Sequence, residues 1–453
     1  MSMRSTRWAS TFAILSLVTA SCAGAQPTGT PGTQPTETSG TQPTGTPGTQ
    51  PTGTAPAATA TSAAAKVTFS LTTWAGEGES AELQELVLDP LNAAQDEFEI
   101  VHQPSPADYY TKLQTTLAGG TGADFMWLSQ EYVAGYAARG ALLDLTDLLN
   151  PADSPAADVS KYFDVIKTAQ YEDRTYGLPW IAQPVMLYYN PALFDADNIA
   201  YPDDSWDWDQ FMDVAKQLTH DDQYGFTANG WPPIHMFIWA AGGETIAPDL
   251  ASSPLDSEQA IAGAEFYKSL IYNTDCCPAE DTIAEQGFDA MFKAGKVAMF
   301  MGGASDTYED ADGNVLDIRA APVPKGPAER VTFGWTASTV VNAKTSNPEL
   351  AAKALAMLTE SIFHWKVVAP HKDFATAELV RASISEKWRP QKDQQVDAII
   401  ASTEYMRSFN VIPRHQEWDD IFWREFQDPL FHGQGTAADL AAAAKPHLEA
   451  LLP

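Results

Sequence analysis

Trp74, Glu77, Gln130, Glu131 and Gln183 are the side chains that this sequence places at the ends of short apolar runs. Carboxylates accept hydrogen bonds, amides donate and accept, and an indole offers a flat apolar face. Such a set can hold a polar ring by hydrogen bonds in its plane and by stacking on its faces. It does not make a reaction centre. No GxSxG, HExxH or phosphate-loop pattern occurs, and the eight histidines have no metal-ligand spacing. With 59 Asp and Glu residues in the chain, any choice of two as a glycosidase pair would be arbitrary. Asp310, Asp312, Gly313 and Asn314 sketch a calcium loop, but Tyr308 and Arg319 stand where acids are needed, so the segment reads as a turn. The expectation is binding without catalysis, metal or cofactor.

Those side chains need elements to carry them. Val67 to Leu71 alternates as a strand and runs into the loop of Trp74 and Glu77. A helix from about Glu79 places Leu83, Leu86, Val87 and Leu91 on one face. Phe98 to Val101 is a second strand, and Tyr109, Leu113 and Leu117 space a helix that stops at Gly119 and Gly120. Asp124 to Leu128 is a buried strand delivering Gln130 and Glu131, before a helix that closes at Gly140. Val185 to Tyr189, bounded by Pro184 and Pro191, is too short for a helix and reads as a buried strand with Gln183 at its entry. A second set follows: a helix from Trp208 capped by Ser205 or Asp207, strands at Tyr224–Thr227, Lys296–Met301 and Asp317–Val323, and a helix opened by Asn347 and Pro348. The tail is helical, with Thr436 starting its last helix. Alternation of this kind means an α/β fold, parallel or mixed sheets flanked by helices, with ligands at the loops leaving the strands.

The chain opens differently. Residues 1–21 carry Arg4 and Arg7, an apolar run from about Phe12 to Val18, and the small residues Thr19, Ala20 and Ser21 before Cys22. That is a secretory leader, too short to span a membrane. Residues 23–65 hold one charge, Glu37, among Thr, Pro, Gly, Ala, Gln and Ser, and a ten-residue string beginning at Pro27 repeats at Pro43. With no apolar face to bury, this is a tether, spanning roughly 35–40 Å as a flexible coil. The 388 residues from Lys66 to Pro453 are ample for two cores. Loss of Arg4 and Arg7 takes the formal charge from −32 to −34, which disfavours nucleic acid and anionic lipid heads as direct partners. Cys276 and Cys277, adjacent in sequence, are either a strained vicinal disulfide or two buried thiols.

Tyr176-Gly177-Leu178-Pro179, then Tyr188-Tyr189-Asn190 and Phe194, followed by Pro202 to Trp208, resemble the hinge signature of extracellular solute-binding proteins of ABC importers, in the sugar-type family 1. Ala118-Gly119-Gly120 ahead of Asp124, Ala298-Met299-Phe300, the block Pro322 to Pro327, and Asn347-Pro348 continue the likeness, so that it covers Lys66 to Pro453. It implies a two-lobed periplasmic-binding-protein-like fold of type II, with residues 66–180 and 336–365 as first lobe and 181–335 and 366–453 as second. It adds ligand-binding candidates: Trp231 and Trp335 as stacking aromatics, and Arg414 in a late loop, where a salt bridge to Glu417 is the other reading. Where relatives often carry an aromatic residue after the Met301 strand, this chain has Ser305 and Asp306, suited to hydrogen bonds. Small residues before Cys22 resemble a lipoprotein signal, an ordinary cleaved leader being the alternative. The implied function is capture of a mono- or oligosaccharide by hinge closure and delivery to ABC permease subunits, by an extracytoplasmic monomer lipid-anchored to the cell membrane surface, in the periplasm or at the cell exterior. Alternatives are a surface-anchored polysaccharide-active enzyme, or the same fold with glycerol phosphate or a polyamine as cargo.

Overall fold

The computed structural model describes residues 65–228, 232–273 and 275–453. The leader, Cys22, the tether to residue 64 and Trp231 lie outside them. Lys66–Pro453 is one compact unit.

Period-two patterning builds its sheet. β1 (Val67–Thr73), β2 (Phe98–Pro104) and β3 (Phe125–Ser129) run parallel in the order β2-β1-β3. A small hairpin, β4 (Gln170–Tyr171) and β5 (Arg174–Thr175), precedes the long β6 (Gly177–Tyr189). Then come β7 (Tyr224–Thr227), β8 (Val297–Gly303), β9 (Arg319–Ala321), β10 (Thr332–Val341) and β11 (Met406–Arg407). The hydrogen-bonded path is β2-β1-β3-β10-β6-β8-β7, with β9 on β6 and β11 on β10. β10 is antiparallel to β3 and β6, whereas β7 is parallel to β8.

β6 is where the structure departs most from the pattern reading. It begins eight residues before Val185 and joins what would otherwise be two sheets. Its first part pairs with β10 from Gly177↔Val340 to Pro184↔Gly334, and its last five residues pair with β8. Pro179 faces Ser338 and Ile181 faces Ala337, so Trp180 is the extra residue of a bulge. A bulge puts consecutive side chains on one face and lets a proline sit in a strand. Leu178, Trp180 and Ile181 accordingly all enter the same core. The expected strand at 317–323 shrinks to the three residues of β9.

Each half of the sheet is covered on both faces, which is why its strands read as unbroken apolar runs. Phe125 and Trp127 of β3 enter one cluster with Phe69, Trp180, Leu355 and Ile362; Met126 and Leu128 enter another with Tyr109, Val133 and Tyr136. Val185 and Leu187 of β6 pack with Phe211, Phe226, Trp239 and Trp418, while Met186 and Tyr188 pack with Phe300, Tyr308 and Ile399. The first two clusters form one lobe and the last two the other. Between them Val165, Ala182 and Met406 make a small group, and Trp335 touches a core on either side. Ala369 and Phe374 pack on the first lobe, and the Tyr162 and His371 rings meet at 5.0 Å. Residues 369–374, expected with the second lobe, thus pack beside this core.

Helix phase explains one misplaced residue. Glu77–Glu82 and Asp89–Ala94 are α-helical, but Leu83–Leu88 between them is a π-helix. Its wider turn moves the buried stripe to Leu83, Val87 and Leu88 and leaves Leu86 55% exposed, off the face that a 3.6-residue period gives it. The caps are as expected: Asp207 accepts from Gln210 N, and Asn347 and Thr436 cap their helices likewise. Asp310 folds its loop into a turn by accepting from Asp312 N and Asn314 N. Cys276 and Cys277 are buried free thiols with their sulfurs 2.8 Å apart.

Candidate functional site

Three strand ends of the first lobe meet at a wall of aromatic rings. Trp74, one residue past β1, is half-buried; its ring lies 5.5 Å from Tyr109 and 5.3 Å from Trp127, both edge-on. Tyr110 stacks flat on Tyr132 at 3.6 Å, and Trp180, turned inward by the bulge, lies 4.3 Å from Trp127. Lys366 closes one end, with its ammonium 3.6 Å from the Trp365 ring and 2.6 Å from the Glu79 carboxylate. Trp365 in turn donates its indole N–H to Glu82 at 3.1 Å.

Gln130 and Glu131 stand at the other end, straight after β3. Gln130 is 1% exposed, and neither its amide oxygen nor its amide nitrogen has a hydrogen-bond partner among the described residues. An orphaned buried amide costs about 1–3 kcal/mol, a cost that a bound guest or an ordered water would offset. Glu131 accepts from the Ser129 hydroxyl at 2.6 Å. Burial raises its carboxyl above the ordinary glutamate value, against that hydrogen bond.

The second lobe meets the first here. A Cβ added to Gly135, in helix Val133–Ala138, would lie 2.8 Å from the Pro413 carbonyl oxygen, so a glycine allows the approach. Beyond Pro413, helix His415–Phe422 presents His415 and Asp419 one turn apart, with Nε2 3.5 Å from Oδ1. Burial pushes Asp419 up to about 7 and His415 down to about 4. The signs oppose. The Asp419 carboxyl holds its proton more tightly folded than unfolded, so its ionisation removes stability as pH rises from about 4 to 7. His415 instead removes stability as pH falls from 6.5 to about 4. In thermal melts, Asp419→Asn is expected to match the native chain near pH 4 and to exceed it increasingly up to pH 8. Parallel curves would show that Asp419 ionises freely.

The remaining candidates have varied fates. Gln183 faces Trp335 across the β6–β10 ladder and lays its amide over Gly303, where a Cβ would come within 2.1 Å of Nε2. Trp335 is half-buried between the lobes. Glu77 is exposed in the first turn of its helix and Ser305 is exposed after β8. Asp306 is turned inward: it accepts from Gly303 N at 2.9 Å and from the Tyr308 hydroxyl at 3.3 Å, with Lys392 close by. Arg414 makes the salt bridge to Glu417, at 2.6 and 3.2 Å. So Trp74, Gln130 and Glu131 come together on one wall, Gln183 and Trp335 pair at the crossing, and Asp306 and Arg414 each have partners within the fold. Concavities of about 650 Å³, lined by Lys66, Asp89 and His102, and about 200 Å³, lined by Asn190, Lys293 and Asp317, contain none of these residues.

Tyr110, Tyr132, Trp180, His415 and Asp419 escaped the sequence reading. Tyr132 directly follows the strand-end pair and could have been included with it. The i, i+4 spacing of His415 and Asp419 marks one helix face, but nothing in the pattern says what that face meets.

Two cores, strands crossing between them twice through β6 and β10, and polar and aromatic groups at the junction define a two-lobed binding protein of the type II periplasmic class. An ABC substrate-binding protein of Listeria monocytogenes in complex with cycloalternan has this fold, with a TM-score of 0.69 and 19% identity over 85% of this chain and 98% of that one. Residues 87–360 match the family described as "Bacterial extracellular solute-binding protein", and the chain belongs to that family. A putative binding protein of Brucella abortus is 28% identical over 257 residues, 54% of this chain and 61% of the relative. The erythritol/L-threitol-binding protein of Mycolicibacterium smegmatis is 31% identical over 147 residues, 28% of this chain and 30% of the relative. The chain thus spans less than two thirds of these curated relatives.

Proposed function

We propose that the chain captures a carbohydrate between its lobes and hands it, chemically unchanged, to ABC permease subunits. The observation that carries this reading is Gln130, a buried amide without a partner beside a wall of aromatic rings. Hydrogen-bonding groups at the edge of an aromatic face are what a pyranose or polyol needs from a site. Trp74, Gln130, Glu131, Gln183 and Trp335 are the proposed contacts, with Trp231 as a further stacking residue and Glu77 and Ser305 at the rim. Sugars and polyols named for similar proteins, cycloalternan and erythritol, agree with that chemistry. The lobes turn about 181–183 and 334–335; a guest touching both favours the shut form by its differential affinity, and the permease reads that form. Cleavage before Cys22, a lipid on that cysteine and the tether would hold the body beside the membrane, where delivery needs it.

A thermal-shift screen over sugars, polyols, glycerol phosphate and polyamines tests the reading. A carbohydrate at 100 times its Kd is expected to add about 2.7 kcal/mol to stability. Stabilisation by glycerol phosphate or a polyamine with none from any carbohydrate would contradict it, and breakdown of an oligosaccharide during incubation would favour an enzyme.

A further inference from the structure

Adjacent side chains ordinarily point apart, on a helix as on a strand. Cys276 and Cys277 do not: their sulfurs lie 2.8 Å apart. The turn after helix Glu258–Tyr272 brings this about. The Asn273 carbonyl accepts from Cys276 N at 3.1 Å and from Cys277 N at 3.0 Å, and the Asn273 side chain accepts from Asp275 N at 3.2 Å. The Cys276 carbonyl accepts from Phe226 N at 3.0 Å, which ties the turn to β7, the last strand on the sheet path. Both thiols are buried in the second-lobe core with Phe226 and Ile271. The third cysteine of the chain, Cys22, lies outside the described residues, so within this core each thiol has one possible thiol partner, its neighbour. The hydrogen bond between the sulfurs holds Cys276 below the ordinary cysteine value and pushes Cys277 above it.

We infer that Cys276 and Cys277 are a paired-thiol oxidation site, which exchange with an organic or protein disulfide closes into a vicinal disulfide as the chain enters an oxidising extracellular compartment. The inference is independent of the cargo. The Cys276 thiolate attacks one sulfur of the oxidant, whose bond breaks; half of the oxidant leaves as a thiolate and a mixed disulfide forms on Cys276. The Cys277 sulfur, giving up its proton, then attacks the Cys276 sulfur and releases the second half. Two electrons pass to the oxidant's sulfurs, and the two thiol protons end on the two thiols released. Burial sets the timing. Exchange runs before the second-lobe core closes over the sulfurs, and the folded core then keeps the bond from reductants. Adjacent residues close a ring that traps almost no chain, so the bond adds little through loop closure. It acts instead on the turn and on the hold of that turn on β7.

Refolding of the full chain is the test. The chain is unfolded in urea with dithiothreitol, freed of both, and refolded in a buffer of oxidised and reduced glutathione. It is then quenched with acid, unfolded again and alkylated with iodoacetamide. The tryptic peptide 269–293 carries Cys276 and Cys277 and no other cysteine. That peptide is expected to be two hydrogens lighter than its reduced form, to show complete loss of alkylation, and to take two alkyl groups only after dithiothreitol. Cys277→Ser should abolish closure and leave Cys276 with glutathione or an alkyl group. On the folded, oxidised chain dithiothreitol should open the bond at least about ten-fold more slowly than in urea, because opening needs local unfolding. Two alkyl groups before reduction, glutathione on the native peptide, a link to Cys22, or opening as fast in the folded chain as in urea would overturn the inference.

Discussion

Lys392→Met is expected to cost about 3–5 kcal/mol of stability near pH 6, where the Lys392 ammonium is charged, the usual penalty for stranding one member of a buried ion pair. Lys392 is 2% exposed; its ammonium donates to the Ala304 carbonyl at 2.7 Å and sits 5.8 Å from the Tyr188 ring. Burial lowers it to about 7, with Asp306 opposing that shift, while burial raises Asp306. A depressed lysine contributes stability that is present above its unfolded value of 10.5 and is lost as pH falls towards 7. Methionine strands Asp306 among Gly303, Tyr308 and Tyr188. The cost should therefore shrink as the medium is acidified towards pH 5 and Asp306 takes a proton, and Asp306→Asn in the same chain should recover most of it. Urea unfolding of the single and double variants measures this. A double variant no better than Lys392→Met would remove Asp306 from the account.

Trp180→Ala is expected to cost a further large amount, about 3–5 kcal/mol, because a fully enclosed indole is lost from a core that cannot collapse around the gap. Trp180 is 2% exposed and packs on Trp127 at 4.3 Å, with the Lys366 ammonium 5.7 Å from its ring. It also supports Trp74, 6.3 Å away, so binding should weaken even where enough folded protein remains. Trp423, 41% exposed on the second lobe, is the control: its alanine variant should stay within about 0.5 kcal/mol of the native chain. Similar losses for the two tryptophans would mean that the burial pattern does not govern stability.

These two residues also mark what could be read from the sequence. Where one face or both faces of an element are buried, periodicity is a physical record of the fold. β7 and the capped helices opened by Asp207, Asn347 and Thr436 were legible for that reason. The strand ends of β1 and β3, and so the positions of Trp74, Gln130 and Glu131 just after them, were legible on the same grounds. What was not legible depends on backbone irregularity or on distant partners. The bulge that aims Trp180 and the π-turn that exposes Leu86 both break the period on which such reading relies. Asp306 was read as a contact because it follows a strand; that its carboxylate accepts from Gly303 N and the Tyr308 hydroxyl could not be read from the pattern. Asp419 looked like an ordinary helix acid, and nothing in the pattern says that it lies 3.5 Å from His415 on a face that burial reaches.

Small-angle scattering of the chain from Lys66 onward, with and without the carbohydrate that gives the largest thermal shift, tests capture between lobes most directly. The radius of gyration should fall on saturation, and the profile of the bound form should match the structure in which Gly135 meets Pro413. An unchanged radius at saturation, with binding verified in the same sample, would contradict closure over the guest.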